Sequence, residues 1–179
     1  LMYVHVALQV LIQLPNRGTM LRSFLLETDC LEACREAGCR HVISWRGMVF
    51  STQGRMGFAM LKAPCTLSSL PMPFTLQLLQ RTGFHLLLGL HEIHTLRDVH
   101  RDVKPGNMVC WGAPGPIDGV QVQHIDCGVG KRLAHHQTSL GVTPVGTTMF
   151  MSPELLLDGY ALLSPQQLLT VDVWSGGVV

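Results

Sequence analysis

Two long segments of this sequence carry apolar residues at the spacing of an α-helix, and short strand-like runs lie before, between and after them. The first helical segment covers residues 20–36 and is expected to end at Gly38. The second covers about residues 74–95, and its predicted buried stripe consists of Leu79, Leu86, Leu90 and Ile93. Because most of the strand-like runs lie in the N-terminal part and the rest of the chain is mainly helical, we expect an α+β fold.

The strand-like runs are concentrated in the first third of the chain. The predicted strands cover residues 4–12, 41–50, 55–62, about 108–110 and 120–125, with a turn at 51–54. We therefore predict a small strand-rich part over residues 1–62, a connection over 63–73 and a mainly helical part over 74–179. Because neither end carries a cap or a polar tail, we expect the chain to be an internal piece of a longer protein, truncated at both ends.

The amino-acid composition limits the classes of binding partner that we expect. Apolar residues make up 47% of the chain and charged residues 14%, which is enough apolar surface for a packed core. Thirteen Lys and Arg against twelve Asp and Glu give a net charge of +1, so we expect no nucleic-acid binding through a basic face. Since no apolar run reaches the eighteen residues of a membrane span, we expect no membrane partner in this segment either.

The six cysteines do not resemble the disulfide framework of a small secreted protein. They predict reduced thiols in an intracellular protein, cytoplasmic or nuclear. Cys30, Cys34, Cys39 and His41 could be read as zinc ligands, but their spacing fits no compact zinc layout. Cys30 and Cys34 also share one helix face with apolar neighbours, which favours a place in the core.

The most informative segment is residues 100–107, which read H-R-D-V-K-P-G-N. This segment resembles the catalytic loop of protein kinases, H-R-D-x-x-x-x-N. Phosphoryl transfer depends on positioning and on charge neutralisation. An Asp can accept the proton of a hydroxyl, a Lys two residues later can meet a phosphate, and an Asn five residues after the Asp can bind a metal.

Three later segments extend the resemblance in the expected order. Residues 126–128 read D-C-G, similar to the D-F-G metal-binding motif, and residues 146–154 read G-T-T-M-F-M-S-P-E, similar to the end of a kinase activation segment. Residues 172–177 read D-V-W-S-G-G, similar to the start of the helix that supports the catalytic loop. The chain therefore resembles the protein kinase superfamily, and Lys104 is typical of its serine/threonine type. The fold implied is two-lobed, with a β-rich N-terminal lobe and a mainly helical C-terminal lobe.

The resemblance also implies roles for individual residues. Asp102 would be the catalytic base and Lys104 the phosphate contact, while Asn107 and Asp126 would bind Mg²⁺. Thr147 is expected to position Asp102 and the substrate. The positions implied at the ATP site are Gln9, Glu27, Met60, Leu61, Ala63, Asn107 and Asp126. ATP, Mg²⁺ and a protein substrate would be the partners.

Two departures from the family pattern leave two functions open. Gln9 stands where kinases carry a lysine that pairs with the acid corresponding to Glu27, and a charge-assisted hydrogen bond of that kind is worth about 1.5–3 kcal/mol. Cys127 stands where D-F-G has a phenylalanine. The acids of the catalytic and metal motifs favour an active serine/threonine kinase. The two departures favour a pseudokinase, which would act as a binding or scaffolding module.

Overall fold

The computed structural model describes residues 6–10, 17–50, 52, 56–70, 73–112, 120–158 and 161–179. Most of the predicted turn at 51–54 and the two ends of the predicted strand at 4–12 lie outside these residues. Within them, no helix is both long enough and apolar enough to cross a membrane.

Among the described residues, four α-helices contain more of the chain than the strands do. They are α1 (Arg17–Glu36), α2 (Leu76–Thr95), α3 (Pro153–Asp158) and α4 (Pro165–Val178). Both predicted helices are therefore confirmed. The turn after α1 holds Gly38 at a φ of +71°, a conformation that favours glycine, and α2 begins where the Thr75 hydroxyl accepts a hydrogen bond from the Leu78 amide.

One member of the predicted buried stripe of α2 is wrong. Leu86, Leu90 and Ile93 are buried, but Leu79 is 49% exposed. The first turns of α2 contact the core through Leu78 and Thr82 instead, because the buried stripe continues backwards from Leu86 in steps of four residues.

The helix that carries the D-V-W-S-G-G segment also begins earlier than predicted. Helix α4 begins at Pro165, and Ser164 and Gln167 form a reciprocal capping box at its N-terminus. Asp172 therefore lies in the middle of the helix, where its backbone position is fixed by turns on both sides.

The N-terminal strands form one antiparallel sheet. Strands β1 (Val6–Val10), β2 (Trp45–Phe50) and β3 (Met56–Leu61) are arranged in the order β1-β3-β2. Gln9 is paired in register with Phe58, which is completely buried. Helix α1 packs on this sheet, and Phe24 of the helix contacts Phe58 with ring centroids 5.6 Å apart.

Seven shorter strands pair in the rest of the chain. Strands β4 (Cys65–Thr66), β6 (Met108–Trp111) and β7 (Gln121–His124) form a three-stranded sheet with β6 in the centre. Strand β5 (Asp98–Val99) pairs with β8 (Lys131–Arg132), and β9 (Leu140–Val142) pairs with β10 (Ala161–Leu163). The two later strands predicted from sequence correspond to β6 and β7.

Three hydrophobic clusters hold these elements together. The first joins α1 to the N-terminal sheet, the second lies under α4, and the third joins α2 to the β4-β6-β7 sheet. The segment between β5 and β6 connects two of these clusters, since Val99 belongs to the second cluster and Val103 to the third.

Candidate active site

The segment between β5 and β6 is fixed by buried side chains on both sides of Asp102. Val99 and Val103 are each 1% exposed, and His100 is completely buried. The His100 Nε2 atom lies 3.0 Å from the carbonyl oxygen of Ile125, and a carbonyl can only accept, so this nitrogen carries the proton. The residues after Val103 form a 3-10 turn over Pro105–Asn107, which leads directly into β6.

The Asp102 carboxylate is the centre of a hydrogen-bond network. Lys104 Nζ donates to Asp102 Oδ2 over 2.6 Å, and Asn107 Nδ2 donates to the same oxygen over 2.9 Å. The backbone amide and the hydroxyl of Thr147 each donate to Asp102 Oδ1 over 2.8 Å. The network thus brings together three of the predicted site residues, Asp102, Lys104 and Asn107, and Thr147 contacts Asp102 as expected.

The approach of Thr147 to Asp102 depends on the residue before it. Gly146 has a φ of +102°, and a Cβ atom at this position would overlap the carbonyl oxygen of Arg101. A glycine is therefore required here for the activation segment to lie against the catalytic segment.

These contacts determine the charge state of Asp102. Burial by itself would raise the pKa of this carboxyl group, but the hydrogen bonds from Lys104 and Thr147 outweigh burial and lower the pKa below its ordinary value. Asp102 is therefore an ionised acceptor at neutral pH, with a lysine ammonium beside it.

Asp172 of α4 supports the catalytic segment from below. Its buried carboxylate accepts hydrogen bonds from the backbone amides of His100 and Arg101 over 2.8 and 2.7 Å. His94 of α2 contacts the same carboxylate over 2.8 Å. The D-V-W-S-G-G motif indicates that Asp172 has a supporting role. Nothing in the sequence indicates that His94 takes part in this support.

A second acid is placed near Asp126 by helix α1. Glu27 is 3% exposed, and its Oε1 atom has no hydrogen-bond partner among the described residues. Burial, followed by the nearby charge of Asp126, raises the pKa of Glu27 to about 8. The structure thus brings two of the predicted site residues close together and leaves one of them unpaired.

Asp126 follows β7 in a left-handed backbone conformation, with a φ of +64°. The amide of Gly128 lies 3.4 Å from Asp126 Oδ1, within a tight turn. A Cβ atom at position 128 would lie 3.4 Å from Glu27 Oε2 and 3.3 Å from Asp126 Oδ1, so both acids border the space beside this glycine. The acids of α1 and of the D-C-G segment therefore share one small space.

Cys127 fills part of the space between α1 and the D-C-G segment. It is 1% exposed and packs with Cys30, Cys34 and Phe58 in the first hydrophobic cluster. A hydrogen bond to Cys30, together with burial, raises the pKa of the Cys127 thiol. Cys30 and Cys34 are core residues, as their position on the helix face predicted.

Cys39 also packs against the first hydrophobic cluster beside Cys34, but the histidine of the zinc hypothesis has another partner. His41 contacts Glu92 instead, with His41 Nδ1 3.1 Å from Glu92 Oε1, and Glu92 also accepts the backbone amides of Arg40 and His41. Among the residues that the structure describes, no group of three or more His, Cys, Asp or Glu side chains is arranged to hold a metal ion. The zinc reading of this cluster therefore has no support.

The remaining predicted positions lie on the N-terminal sheet or just after it. Gln9 lies on β1, Met60 and Leu61 end β3, and Ala63 follows two residues later. Met60 and Ala63 pack against the first hydrophobic cluster, which also contains Val109 of β6. The end of β3 and strand β6 thus contribute to the same cluster, and Asn107 immediately precedes β6.

The chain is similar to several curated proteins, most of which are named as protein kinases. Over 103 residues the chain is 41% identical to "Cell division control protein 2 homolog 2" of Trypanosoma brucei brucei, covering 56% of this chain and 26% of that protein. It is 33% identical over 94 residues to "Serine/threonine-protein kinase PEPKR2" of Arabidopsis thaliana, covering 52% of this chain and 17% of that protein. The match to "Mitogen-activated protein kinase kinase 9" of the same plant is 33% identical over 114 residues and covers 64% and 34% of the two chains. The matches thus span about a third or less of each relative.

The family comparison covers almost the whole chain. The model of the protein kinase domain matches residues 5–179. This match agrees with the α+β architecture, with the order of the four motifs and with the network around Asp102, and it confirms the predicted two-lobed kinase fold. The chain therefore belongs to the protein kinase family.

Proposed function

We propose that this chain carries the catalytic segment of a serine/threonine protein kinase, which transfers the γ-phosphate of ATP to a protein hydroxyl group. The observation that carries the proposal is the network around Asp102, in which Lys104, Asn107 and Thr147 all donate to one ionised carboxylate. A buried network of this kind needs every partner to be present, because a partly satisfied one is costly.

Each residue of the network has a task in this proposal. Asp102 accepts the hydrogen bond of the substrate hydroxyl and orients its oxygen towards the phosphate. Lys104 lies beside Asp102 and places a positive charge where the transferred phosphoryl group gathers negative charge. Thr147 holds Asp102 from the activation segment, so that the activation segment and the base are positioned together.

Asn107 and Asp126 would hold Mg²⁺. The amide nitrogen of Asn107 donates to Asp102, which leaves the amide oxygen of Asn107 available for a metal ion. Asp126 adds a carboxylate just after β7. Oxygen donors of these two kinds are the ligands that Mg²⁺ prefers, so the residues present fit the ion. When bound, Mg²⁺ would neutralise phosphate charge.

A pseudokinase is the second candidate, and one observation favours it. Glu27 is buried and unpaired among the described residues, and residue 9 is a glutamine that brings no positive charge. In this alternative the chain holds nucleotide weakly or not at all and acts through its surfaces. For either candidate, we propose that residues 1–62 and 74–179 form two lobes joined by residues 63–73, and that the protein is intracellular.

Magnesium-dependent ATP binding separates the two candidates. We would measure thermal stabilisation by ATP with and without Mg²⁺ for the chain and for Asp126→Asn, with Asp29→Asn as the matched control, since Asp29 is an exposed acid of α1. The enzyme proposal expects stabilisation that needs Mg²⁺, is lost in Asp126→Asn and is kept in Asp29→Asn. A folded protein that responds to neither ATP nor Mg²⁺ supports the pseudokinase.

Phosphate transfer to a peptide mixture then tests catalysis itself. Asp102→Asn should abolish transfer while leaving ATP binding close to that of the parent chain, because the base is needed only at the reacting hydroxyl. Gln9→Lys should raise transfer on the order of tenfold or more if the missing charge limits the parent chain. Transfer that is unaffected by Asp102→Asn would contradict the proposed mechanism.

A further inference from the structure

Two cysteines lie opposite each other on neighbouring strands between the N-terminal sheet and α2. Cys65 of β4 is the direct register partner of Cys110 of β6, and Thr66 is opposite Val109. Directly opposed residues of an antiparallel pair project from the same face of the sheet, with Cα atoms about 4.5–5.5 Å apart. Disulfides form at Cα separations of about 4.4–6.8 Å, so the backbone pairing alone puts the two residues within bonding range.

The side chains of the two residues also meet. Both belong to the third hydrophobic cluster, where Cys110 is 2% exposed and Cys65 is partly exposed. Burial, followed by the neighbouring Cys65 thiol and its hydrogen bond, raises the pKa of Cys110 to about 12. Both are free thiols in this structure. Cys65 is thus the more accessible residue of the pair, and Cys110 lies directly opposite it on β6.

The remaining cysteines have a different arrangement. Cys30, Cys34 and Cys127 contact one another, but each is at most 6% exposed, so a reagent in solution cannot reach them without local opening. Cys39 is partly exposed and contacts the buried Cys34, but this pair joins α1 to the turn that follows it and is not held by strand pairing. All six cysteines lie in the described part of the chain, and within it Cys65 and Cys110 alone combine direct strand pairing with access from solvent.

We propose that Cys65 and Cys110 are an oxidation site, at which a hydroperoxide converts the two thiols into a cross-strand disulfide. The Cys65 sulfur attacks a peroxide oxygen and the O–O bond breaks, which gives a sulfenic acid on Cys65 and one molecule of water or alcohol. The Cys110 sulfur then attacks the Cys65 sulfur; the S–O bond breaks, the S–S bond forms, and the Cys110 proton leaves with the hydroxyl group as water. The two sulfurs lose two electrons in total, and the peroxide gains them.

The bond would join two parts of the chain that lie beside the proposed nucleotide site. Cys65 follows Ala63 by two residues, and Cys110 follows Asn107 by three. The disulfide would close a loop over the 44 residues between them and restrict the movement of β4 relative to β6. The bond itself does not depend on nucleotide binding or catalysis, so its detection stands or falls separately from the proposed function.

Peptide mapping after mild oxidation tests the site. The folded chain would be treated with hydrogen peroxide, the remaining thiols blocked with N-ethylmaleimide, and the protein digested with trypsin without reduction. We expect peptide 63–81 joined to peptide 102–131, with the loss of two hydrogens, and separation of the two peptides by dithiothreitol. Peptide 102–131 contains Cys127 as well as Cys110, so variants must identify the bonded residue.

Three variants and one control make that identification. The joined peptide should persist in Cys127→Ala and in the control Cys39→Ser, and should vanish in Cys110→Ala and in Cys65→Ser. Cys65→Ser changes a partly exposed position, so it keeps the test valid if Cys110→Ala fails to fold, as judged by circular dichroism. The oxidised parent chain should also unfold several degrees above the reduced chain, and dithiothreitol should reverse this shift.

Several results would overturn the proposal. One is a folded parent chain in which Cys65 is recovered only as the maleimide adduct or as a sulfinic acid. A second is a joined peptide that survives Cys110→Ala, since the partner would then be Cys127. A third is disulfide formation confined to Cys30, Cys34 and Cys39.

Discussion

Two acidic side chains of the same site, Asp102 and Glu27, lie in opposite environments. Asp102 accepts hydrogen bonds from Lys104, Asn107 and Thr147, and these contacts lower its pKa. Glu27 is more deeply buried, has an oxygen without a partner among the described residues, and has its pKa raised to about 8. Burial disfavours the charge on both acids, so the difference between them comes from their partners.

This contrast divides the site into one half that stabilises an ionised carboxylate and another half that does not. Asp172 and the activation segment support the catalytic segment. The hydrogen-bond donors to the Asp102 carboxylate lie either within a few residues of Asp102 or in the activation segment. The acid of α1 needs a positive partner from β1, and the residue there is Gln9. The half of the site around Asp102 is therefore complete in its hydrogen bonds, whereas in the half around Glu27 the Oε1 atom has no partner among the described residues.

The largest effect is expected where the support of the complete half is removed. Asp172→Ala should lower the free energy of unfolding by about 3–5 kcal/mol, because it leaves the amides of His100 and Arg101 and the His94 ring without their shared acceptor in a buried place. Urea unfolding followed by circular dichroism measures this loss. Asp29→Ala, at an exposed position of α1, should change the free energy by less than about 0.5 kcal/mol.

A loss below about 1 kcal/mol in Asp172→Ala would mean that the catalytic segment holds its conformation without α4. Packing of Val99, His100 and Val103 would then be sufficient to place Asp102.

The complete half of the site is also the half that could be predicted from the sequence. Its residues lie within one eight-residue segment and one later threonine, so their types and spacing already define the chemistry. Glu27 could be placed on a helix, but its isolation depends on burial against Gly128 and Asp126, which no local pattern encodes. The same limit explains the error at Leu79, since periodicity marks a face of α2 but not where the core begins along it.

The position of Asp172 within α4 shows the limit from another side. The motif D-V-W-S-G-G predicts a helix that starts near residue 172, whereas the helix begins at Pro165, after its N-cap Ser164. The capping pattern of these two residues is visible in the sequence. By contrast, the contacts of Glu92 and His94 join residues 51 and 78 positions apart in the chain. Such long-range contacts depend on the tertiary fold, so sequence spacing does not reveal them.

The second effect in size is a pH dependence of stability that comes from Glu27. Its pKa is about 8 in the folded chain against an ordinary value of 4.5, so the folded state binds one proton more than the unfolded state between these values. The contribution of Glu27 is therefore fully present below about pH 4.5, falls as the pH rises, and is lost above about pH 8. The total fall is a few kcal/mol at most.

Glu27→Gln should remove this slope without unfolding the protein, because the amide keeps the shape of the side chain and carries no charge. Urea unfolding between pH 5 and pH 8 in the presence of a chelator compares the two proteins. Glu36→Gln, at an exposed position of the same helix, should keep the slope of the parent chain. Parallel curves for the parent chain and Glu27→Gln would show that Glu27 has found a positive partner.

The smallest effect tests whether Asp102 owes its lowered pKa to its donors. Thr147→Val removes the hydroxyl that donates to Asp102 Oδ1 and keeps the backbone amide that donates to the same atom. We expect a loss of about 1–2 kcal/mol in the free energy of unfolding and a rise in the pKa of Asp102, followed by carboxyl NMR as the pH is lowered. The sign follows from linkage: a lowered carboxyl pKa gives stability that is lost as the pH falls, so the variant should lose its acid-sensitive stability at a higher pH than the parent chain. Thr170→Val, whose hydroxyl is exposed on α4, is the matched control and should leave the Asp102 titration unchanged. If the pKa of Asp102 does not move in Thr147→Val, the hydroxyl does not contribute to its charge state, and the contrast with Glu27 comes from Lys104 and the backbone amide of Thr147.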